Sequence, residues 1–234
     1  MTETDDILAV PLWINGHAFL TMAPAFFDVC APRSGHLVRR TPLCGASQAR
    51  VAVEAAASAL PGWVAWPLAE RAARLVVLAD ALAGYAAHFA DLIAEETGQP
   101  ATSAAAEVAA ALQVLRGAAD SAEASAGSVV VGLVCDDRTP LLGLLQRAVP
   151  ALRAGATLVI KPSPQAPSVA VALAELTAQC GFPDGVCNVL HGDLAAIDGL
   201  CASAEVKLLL FAGDPLLAAR VAVIATRHGK PFVD

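Results

Sequence analysis

The strongest periodic signal in the chain lies between Pro67 and Glu96. Apolar residues recur there at Leu68, Ala72, Leu75, Ala79, Leu82, Ala86, Phe89 and Ile93. Steps that alternate four and three trace one face of an α-helix. Pro67 suits a first turn and Gly98 stands just past the end, so the pattern predicts one helix over about 67–96. An Ala/Val-rich stretch over 46–60 predicts a helix before it. A third is expected over about 103–125, with Val108, Leu112, Leu115 and Ala119 on one side. Ahead of these the chain reads as short strands and turns. Trp13–Gly16 ends in an Asn-Gly turn signal, and Phe27–Val29 leads into Pro32 and Ser34-Gly35.

From Ser128 the pattern changes. Apolar runs at 128–134, 157–161, 186–190 and 206–211 precede helical stretches at about 140–153, 168–180, 194–202 and 215–228. Gly155, Gly181 and Gly229 stop three of these helices, and a last strand begins at Pro231. Apolar strands that alternate with helices predict a parallel sheet covered on both faces. The expected fold class is α/β, a doubly wound, Rossmann-like parallel sheet preceded by an N-terminal helical segment. A single domain is expected over 1–234, with strands and helices in 1–127 and βα units in 128–234.

Composition and charge remove several alternatives. The net charge is -7 and no Lys/Arg cluster interrupts it, which argues against a nucleic-acid partner. The acidic start, MTETDDILAV, lacks the basic region of a secretory signal. No run of about 18 residues is free of polar breaks, so no membrane span is expected and the expected location is cytoplasmic. Cys30, Cys44, Cys135, Cys180, Cys187 and Cys201 include no C-x-x-C pair and none at zinc spacing. They read as buried or half-buried thiols in a reducing compartment, and no metal site is expected.

A series of short motifs runs along the chain. Leu12–Gly16 is similar to an I-N-G strand, and Ala31-Pro32 with Ser34-Gly35 to an N-P-x-T-G turn. Trp63, Glu70-Arg71, Ala79-Asp80 and Glu96-Thr97-Gly98 follow as W, E-R, A-D and E-T-G. Pro150-Ala151-Leu152, Gly155, Thr157 and Lys161-Pro162-Ser163 fit P-A-L-x-x-G-x-T-x-x-x-K-P-S. Gly181, Pro183, Gly185-Val186 and Asn188-Val189 fit G-x-P-x-G-V-x-N-V, and Phe211 with Gly213 stands where F-T-G would. In this order the motifs resemble the N-terminal, nucleotide-domain half of the aldehyde dehydrogenase family. The resemblance ends at Lys230–Asp234, similar to the strand that leads into the family's L-E-L-G-G motif with its general-base Glu. The family's nucleophilic Cys lies beyond, in a separate catalytic domain. A long β-hairpin, part of the family's oligomerisation surface, has no counterpart, because Ala126-Gly127 runs almost directly into Ser128.

In that family a Cys thiolate attacks the carbonyl, an Asn amide and a backbone N–H hold the oxyanion, and NAD takes the hydride. The Asn belongs to a T-P-W-N-F-P motif, which here reads Cys135-Asp136-Asp137-Arg138-Thr139-Pro140. Arg138 in the Asn position is too long and too charged for the same hole, and it is expected to be solvated or paired with Asp136 and Asp137. Cys135 reads as a partly buried small side chain, not a substitute nucleophile. No catalytic residue is therefore expected within the chain. The resemblance assigns cofactor contacts to Lys161, Ser163 and Gly213. Pro164 replaces the Glu of K-P-S-E, and Asp214 and Ala218 replace the Ser and the last Gly of F-T-G-S-T-x-x-G. Asp214 followed by Pro215 makes a helix N-cap with Pro at the first helical position. Its carboxylate is expected to occupy the anion site at the helix start and to repel a diphosphate. No cofactor is expected to bind tightly, and NAD(P) if any. The expected role is a non-catalytic accessory or scaffold subunit. Its expected partner is a protein, either a full-length aldehyde dehydrogenase relative or the chain itself. The alternatives are one half of a split dehydrogenase and a stand-alone nucleotide-binding module.

Overall fold

The computed structural model describes residues 9–119 and 127–234. The acidic start, the end of the third expected helix over 120–125 and Ala126 lie outside the described residues. Strands β1 (Leu12–Ile14) and β2 (His17–Phe19) form a hairpin, and β3 (Phe26–Cys30) pairs with β4 (Leu37–Pro42) as a separate ribbon. Four helices follow, α1 (Ala46–Val64), α2 (Leu68–Gly84), α3 (Ala86–Thr97) and α4 (Ala101–Arg116), the last with a 3-10 turn behind it. The remainder alternates as β5 (Val130–Cys135), α5 (Leu142–Ala154), β6 (Thr157–Lys161), α6 (Ser168–Gln179) and β7 (Cys187–Val189). It closes with α7 (Leu194–Ala202), β8 (Val206–Ala212), α8 (Pro215–Arg227) and β9 (Phe232–Val233).

The main sheet has the order β2-β1-β7-β6-β5-β8-β9. Its five strands from β5 onward are parallel, as the alternation predicts. The β1–β2 hairpin extends the sheet antiparallel through Trp13 and Val189. Its two-residue turn uses Asn15 and Gly16, both at positive φ (53° and 78°), which suits the turn of a two-residue hairpin. The fully buried Asn188 fixes this edge. Its Oδ1 accepts from Asn15 N at 3.0 Å, and its Nδ2 donates to Leu158 O and Gly185 O.

Helices cover both faces. On one, α2, α4, α5 and α6 bury Leu75, Leu82, Val108, Leu144 and Leu173 against Val131, Leu133 and Leu158. On the other, α1, α7 and α8 bury Val53, Leu200, Val221 and Ile224 in two adjoining clusters. The single helix expected over 67–96 is two helices, bent by 73° at a break around Tyr85. Gly84, a poor helix former, ends the first. The stripe survives the break because its spacing continues across it. Ala72, Leu75, Ala79, Leu82, Phe89 and Ile93 are buried, while Leu68 is exposed. Among the described residues no single helix is long and apolar enough to cross a membrane.

The chain winds outward from β5 through β6 to β7, then returns beside β5 to build β8 and β9. The loops leaving β5 and β8 therefore head for opposite sides of the sheet. The crevice they open at the carboxyl ends of these strands is where doubly wound folds place ligands.

Candidate functional site

The β8–α8 turn forms one wall of the crevice. Gly213 has φ +151°, and a Cβ there would lie 2.3 Å from Asp136 Cγ. Only glycine lets the Asp136 carboxylate approach this closely. That carboxylate is almost fully buried and accepts from two loops at once, from Asp214 N at 2.6 Å and from Arg138 N at 2.9 Å. Asp214 caps α8, its Oδ1 accepting from Leu216 N at 2.7 Å, with Pro215 at the first helical position. The other Asp214 oxygen forms an ion pair with Arg138 Nη2. This corrects the expected partners of Arg138. Its backbone N–H goes to Asp136, but its guanidinium reaches across the crevice to Asp214. Ala218 is buried in the cluster under α8, one turn further on.

The β5–α5 loop forms the other wall. The first turn of α5 is satisfied by a carboxylate from α4. Glu107 Oε1 accepts from Leu141 N at 2.9 Å and from Leu142 N at 3.1 Å. Gln99 Nε2 donates to Glu107 Oε2 and to Arg138 O. Cys135, at the end of β5, is buried, and burial pushes its thiol up to about 12, with the Asp136 charge adding to the rise. A thiol so disposed stays protonated and unreactive near neutral pH.

Lys161 closes β6 with 5% of its surface exposed. Its charge interacts electrostatically with Cys135, His191 and Asp193. Burial holds its ammonium down to about 8, opposed by Cys135 and Asp193. Ser163 Oγ accepts from Gln165 N, and Pro164 offers only its carbonyl, taken by Thr41 Oγ1 at 2.9 Å. His191 is fully buried with Nε2 against Pro11 O, and burial pushes its pKa down to about 4.

Arg138, Gly213 and Asp214 thus meet in one network, whereas Lys161 and Ser163 lie on the neighbouring β6 side of the crevice. Sequence reasoning missed Asp136 and Glu107 as the acceptors that organise both walls. Glu107 carried one signal, a charged residue directly before Val108 on an apolar helix stripe.

A dinucleotide at this crevice would need free N–H groups at the start of α8. Pro215 has none, the Leu216 N–H is held by Asp214, and the Asp214 N–H by Asp136. Three charges face one another here, two negative and one positive. Two of these N–H groups are thus taken within the chain, and the Asp214 carboxylate at the helix start repels an anion brought there.

Residues 20–233 match the model of the aldehyde dehydrogenase family. The chain is 30% identical over 222 residues to malonate-semialdehyde dehydrogenase of Pseudomonas aeruginosa, an alignment covering 87% of the chain and 44% of that protein. It is 32% identical over 220 residues to the NADP(+) succinate-semialdehyde dehydrogenase of Escherichia coli, covering 86% and 46%. Lactaldehyde dehydrogenase from Escherichia coli superposes with a TM-score of 0.90 at 25% identity, over 97% of this chain and 52% of that one. A methylmalonate-semialdehyde dehydrogenase structure from Sinorhizobium meliloti, complexed with NAD, shares the fold with a TM-score of 0.91 at 21% identity, over 98% and 50%. The chain spans about half the length of these proteins.

Proposed function

We propose, from the premise that this chain belongs to the aldehyde dehydrogenase family, that it serves as a non-catalytic accessory or scaffold subunit. In this reading it docks on a full-length relative, or on a second copy, through the face that the family buries against its catalytic domain. The observation that carries the reading is the self-satisfied start of α8, where Asp214 supplies from within the chain the negative charge a cofactor phosphate would bring. Arg138, which the resemblance sets in the position of the family's oxyanion Asn, is ion-paired with Asp214, and that supports the same reading.

The experiment has two arms. Calorimetric titration with NAD and with NADP is expected to show no tight binding. Affinity capture from cell extract, with ultracentrifugation, is expected to yield an aldehyde dehydrogenase relative or self-association. Aldehyde oxidation by the chain alone, surviving proof of purity, would overturn the reading. So would tight NAD binding without a partner, which would mark a stand-alone nucleotide-binding module.

Lys161 favours a second reading, one half of a split NAD(P)-dependent aldehyde oxidoreductase. It keeps the position that the family uses for the ribose, and its ammonium makes no hydrogen bond or ion pair among the described residues. A captured partner that carries the family's Cys and Glu, and restores turnover on mixing, would select this reading.

A further inference from the structure

Strand β2 closes one end of the main sheet, far from β8 and β9, and β1 is its only strand neighbour among the described residues. Its register pairs Ile14 with His17 and Leu12 with Phe19 across the Asn15-Gly16 turn, with Trp13 opposite Ala18 between them. In a two-residue hairpin the residues that flank the turn exchange hydrogen bonds, and the next pair does not. The N–H and C=O of Ala18 therefore point away from β1, off the edge of the sheet. The chain that follows holds large apolar side chains in solvent. Leu20 is 80% exposed and Met22 97%, and Phe19 and Phe26 are exposed as well. Thr21 is turned the other way, its Oγ1 accepting from Gln48 Nε2 on α1 at 3.3 Å. Alternation along an extended chain then sets Leu20 and Met22 outward. From His17 to Phe27 there is no Asp, Glu, Lys or Arg. Charged side chains are a usual guard of a sheet edge, and this edge lacks them.

We propose that the β2 edge docks a second copy of this chain, strand to strand and antiparallel, about a two-fold axis at Ala18. The surface lies at the other end of the sheet from the crevice, and the proposal does not rest on the accessory-subunit reading. On the axis Ala18 meets its own counterpart and exchanges both outward bonds with it, and its small side chain lets the strands close up. His17 of each copy then faces Phe19 of the other, so no charge meets its like. Leu20 and Met22 flank the axis and cover the join. Charge and area select the occupant. A chain of net charge -7 repels its own copy, and repels it least where both surfaces are uncharged, as the run 17–27 is. An anionic lipid surface would call for basic residues that the run lacks. The four exposed side chains present on the order of 500 Å² of apolar surface per copy. Stable interfaces bury about 800 Å² per partner, so the association is weak, with a Kd on the order of 10 µM.

Sedimentation equilibrium of the full chain, from about 1 to about 100 µM, should show a monomer–dimer equilibrium. Leu20→Asp brings two like charges to the axis and should weaken the dimer at least about tenfold, while the melting temperature holds because Leu20 is exposed. Leu216→Asp, at the start of α8, should leave the dimer in place. Ala18→Cys supplies a direct measure of the geometry. The Cα atoms of a hydrogen-bonded antiparallel pair stand about 5.5 Å apart, within disulfide reach, so mild oxidation should link two copies through position 18. Five of the six native thiols are buried, and wild type serves as the blank. Ala219→Cys, exposed on α8, should link more slowly. A chain that stays monomeric throughout would overturn the proposal. So would a dimer indifferent to Leu20→Asp, one that Leu216→Asp breaks, or linkage in Ala18→Cys no faster than in Ala219→Cys. Binding of a monomeric chain to phosphatidylcholine–phosphatidylserine vesicles, lost in Leu20→Asp, would assign the edge to lipid instead. Leu20→Asp leaves the crevice untouched, so capture of a relative by that variant tests the accessory reading separately.

Discussion

Asp214→Ser is the most informative single change at the crevice. The carboxylate performs two tasks that Ser separates. It caps α8 through Leu216 N, which a hydroxyl can also do, and it supplies a negative charge, which a hydroxyl cannot. Ser also releases Arg138, whose guanidinium is then free to face an anion. The charges of Asp136, Asp214 and Arg138 sum to minus one in the wild type and to zero in the mutant. At ~4 Å a like-charge pair costs about 1 kcal/mol in water and up to ~4 kcal/mol near a protein surface. Pro164 and Ala218 are unchanged, so the low end applies, and NAD affinity should rise on the order of tenfold. The lost Arg138–Asp214 pair is largely solvent-exposed on the Arg138 side, and such pairs contribute about 0.2–1 kcal/mol, so folding should change little. Calorimetry with NAD and with ADP on both proteins, at equal ionic strength, measures the effect. Tight binding by the wild type that Asp214→Ser leaves unchanged would refute the placement of the phosphate at α8.

Two further changes probe the supports of the site. Asp136→Ala strands the Asp214 and Arg138 N–H groups, each unmade bond to a buried partner costing about 1–3 kcal/mol, so the melting temperature should fall by several degrees; an unchanged melting curve would show that water replaces the carboxylate. Glu96, fully buried at the end of α3, accepts from Ser168 N at 3.1 Å and Ser168 Oγ at 2.5 Å. Burial pushes its carboxyl up to about 7, against the pull of Ser168 and Arg39. A carboxyl raised in this way stabilises the fold below its unfolded pKa of about 4.3, and that stability is lost as pH climbs towards 7, because the unfolded chain releases the proton first. Glu96→Gln should remove that loss, and the difference between the two proteins isolates it from His191, whose depressed pKa tilts stability the other way. Urea melts whose pH dependence is the same for both proteins would exclude the effect.

The parts of the fold that local pattern determines were readable in the sequence. Strand and helix periods differ, and glycine at the ends of α5 and α6 marks where each helix must stop, so the βα units could be placed within a few residues. The break at Tyr85 is marked in the sequence by Gly84 but not by the periodicity, because the apolar stripe of α2 continues in phase into α3 and periodicity records the buried face rather than the axis. The antiparallel edge was hidden for another reason. The Asn-Gly turn is a local signal, but the pairing of β1 with β7 rests on the contact of Asn15 with Asn188, far apart in the chain. The site divides in the same way. Asp214 as a cap follows from Asp-Pro in series, whereas the reach of Arg138 to Asp214 depends on how two loops meet at the switch point.

That meeting changes what the departures from the family pattern mean. Taken singly, Asp136, Arg138 and Asp214 each remove something, a proline, an oxyanion amide and a phosphate-facing hydroxyl. Together they satisfy one another. Asp136 accepts the N–H groups of the other two, Arg138 neutralises Asp214, and Gly213 leaves space that a Cβ would take from the Asp136 carboxylate. Unrelated losses would leave buried polar groups without partners, and buried polar groups without partners are expensive. Here the start of α5 is satisfied by Glu107 and the start of α8 by Asp214, so both helices that open onto the crevice carry their own anions. A crevice of this kind gains little from an external phosphate and would lose the Arg138–Asp214 bridge by admitting one. Both helix starts are satisfied from within the chain, and that is the physical basis for the proposed accessory role.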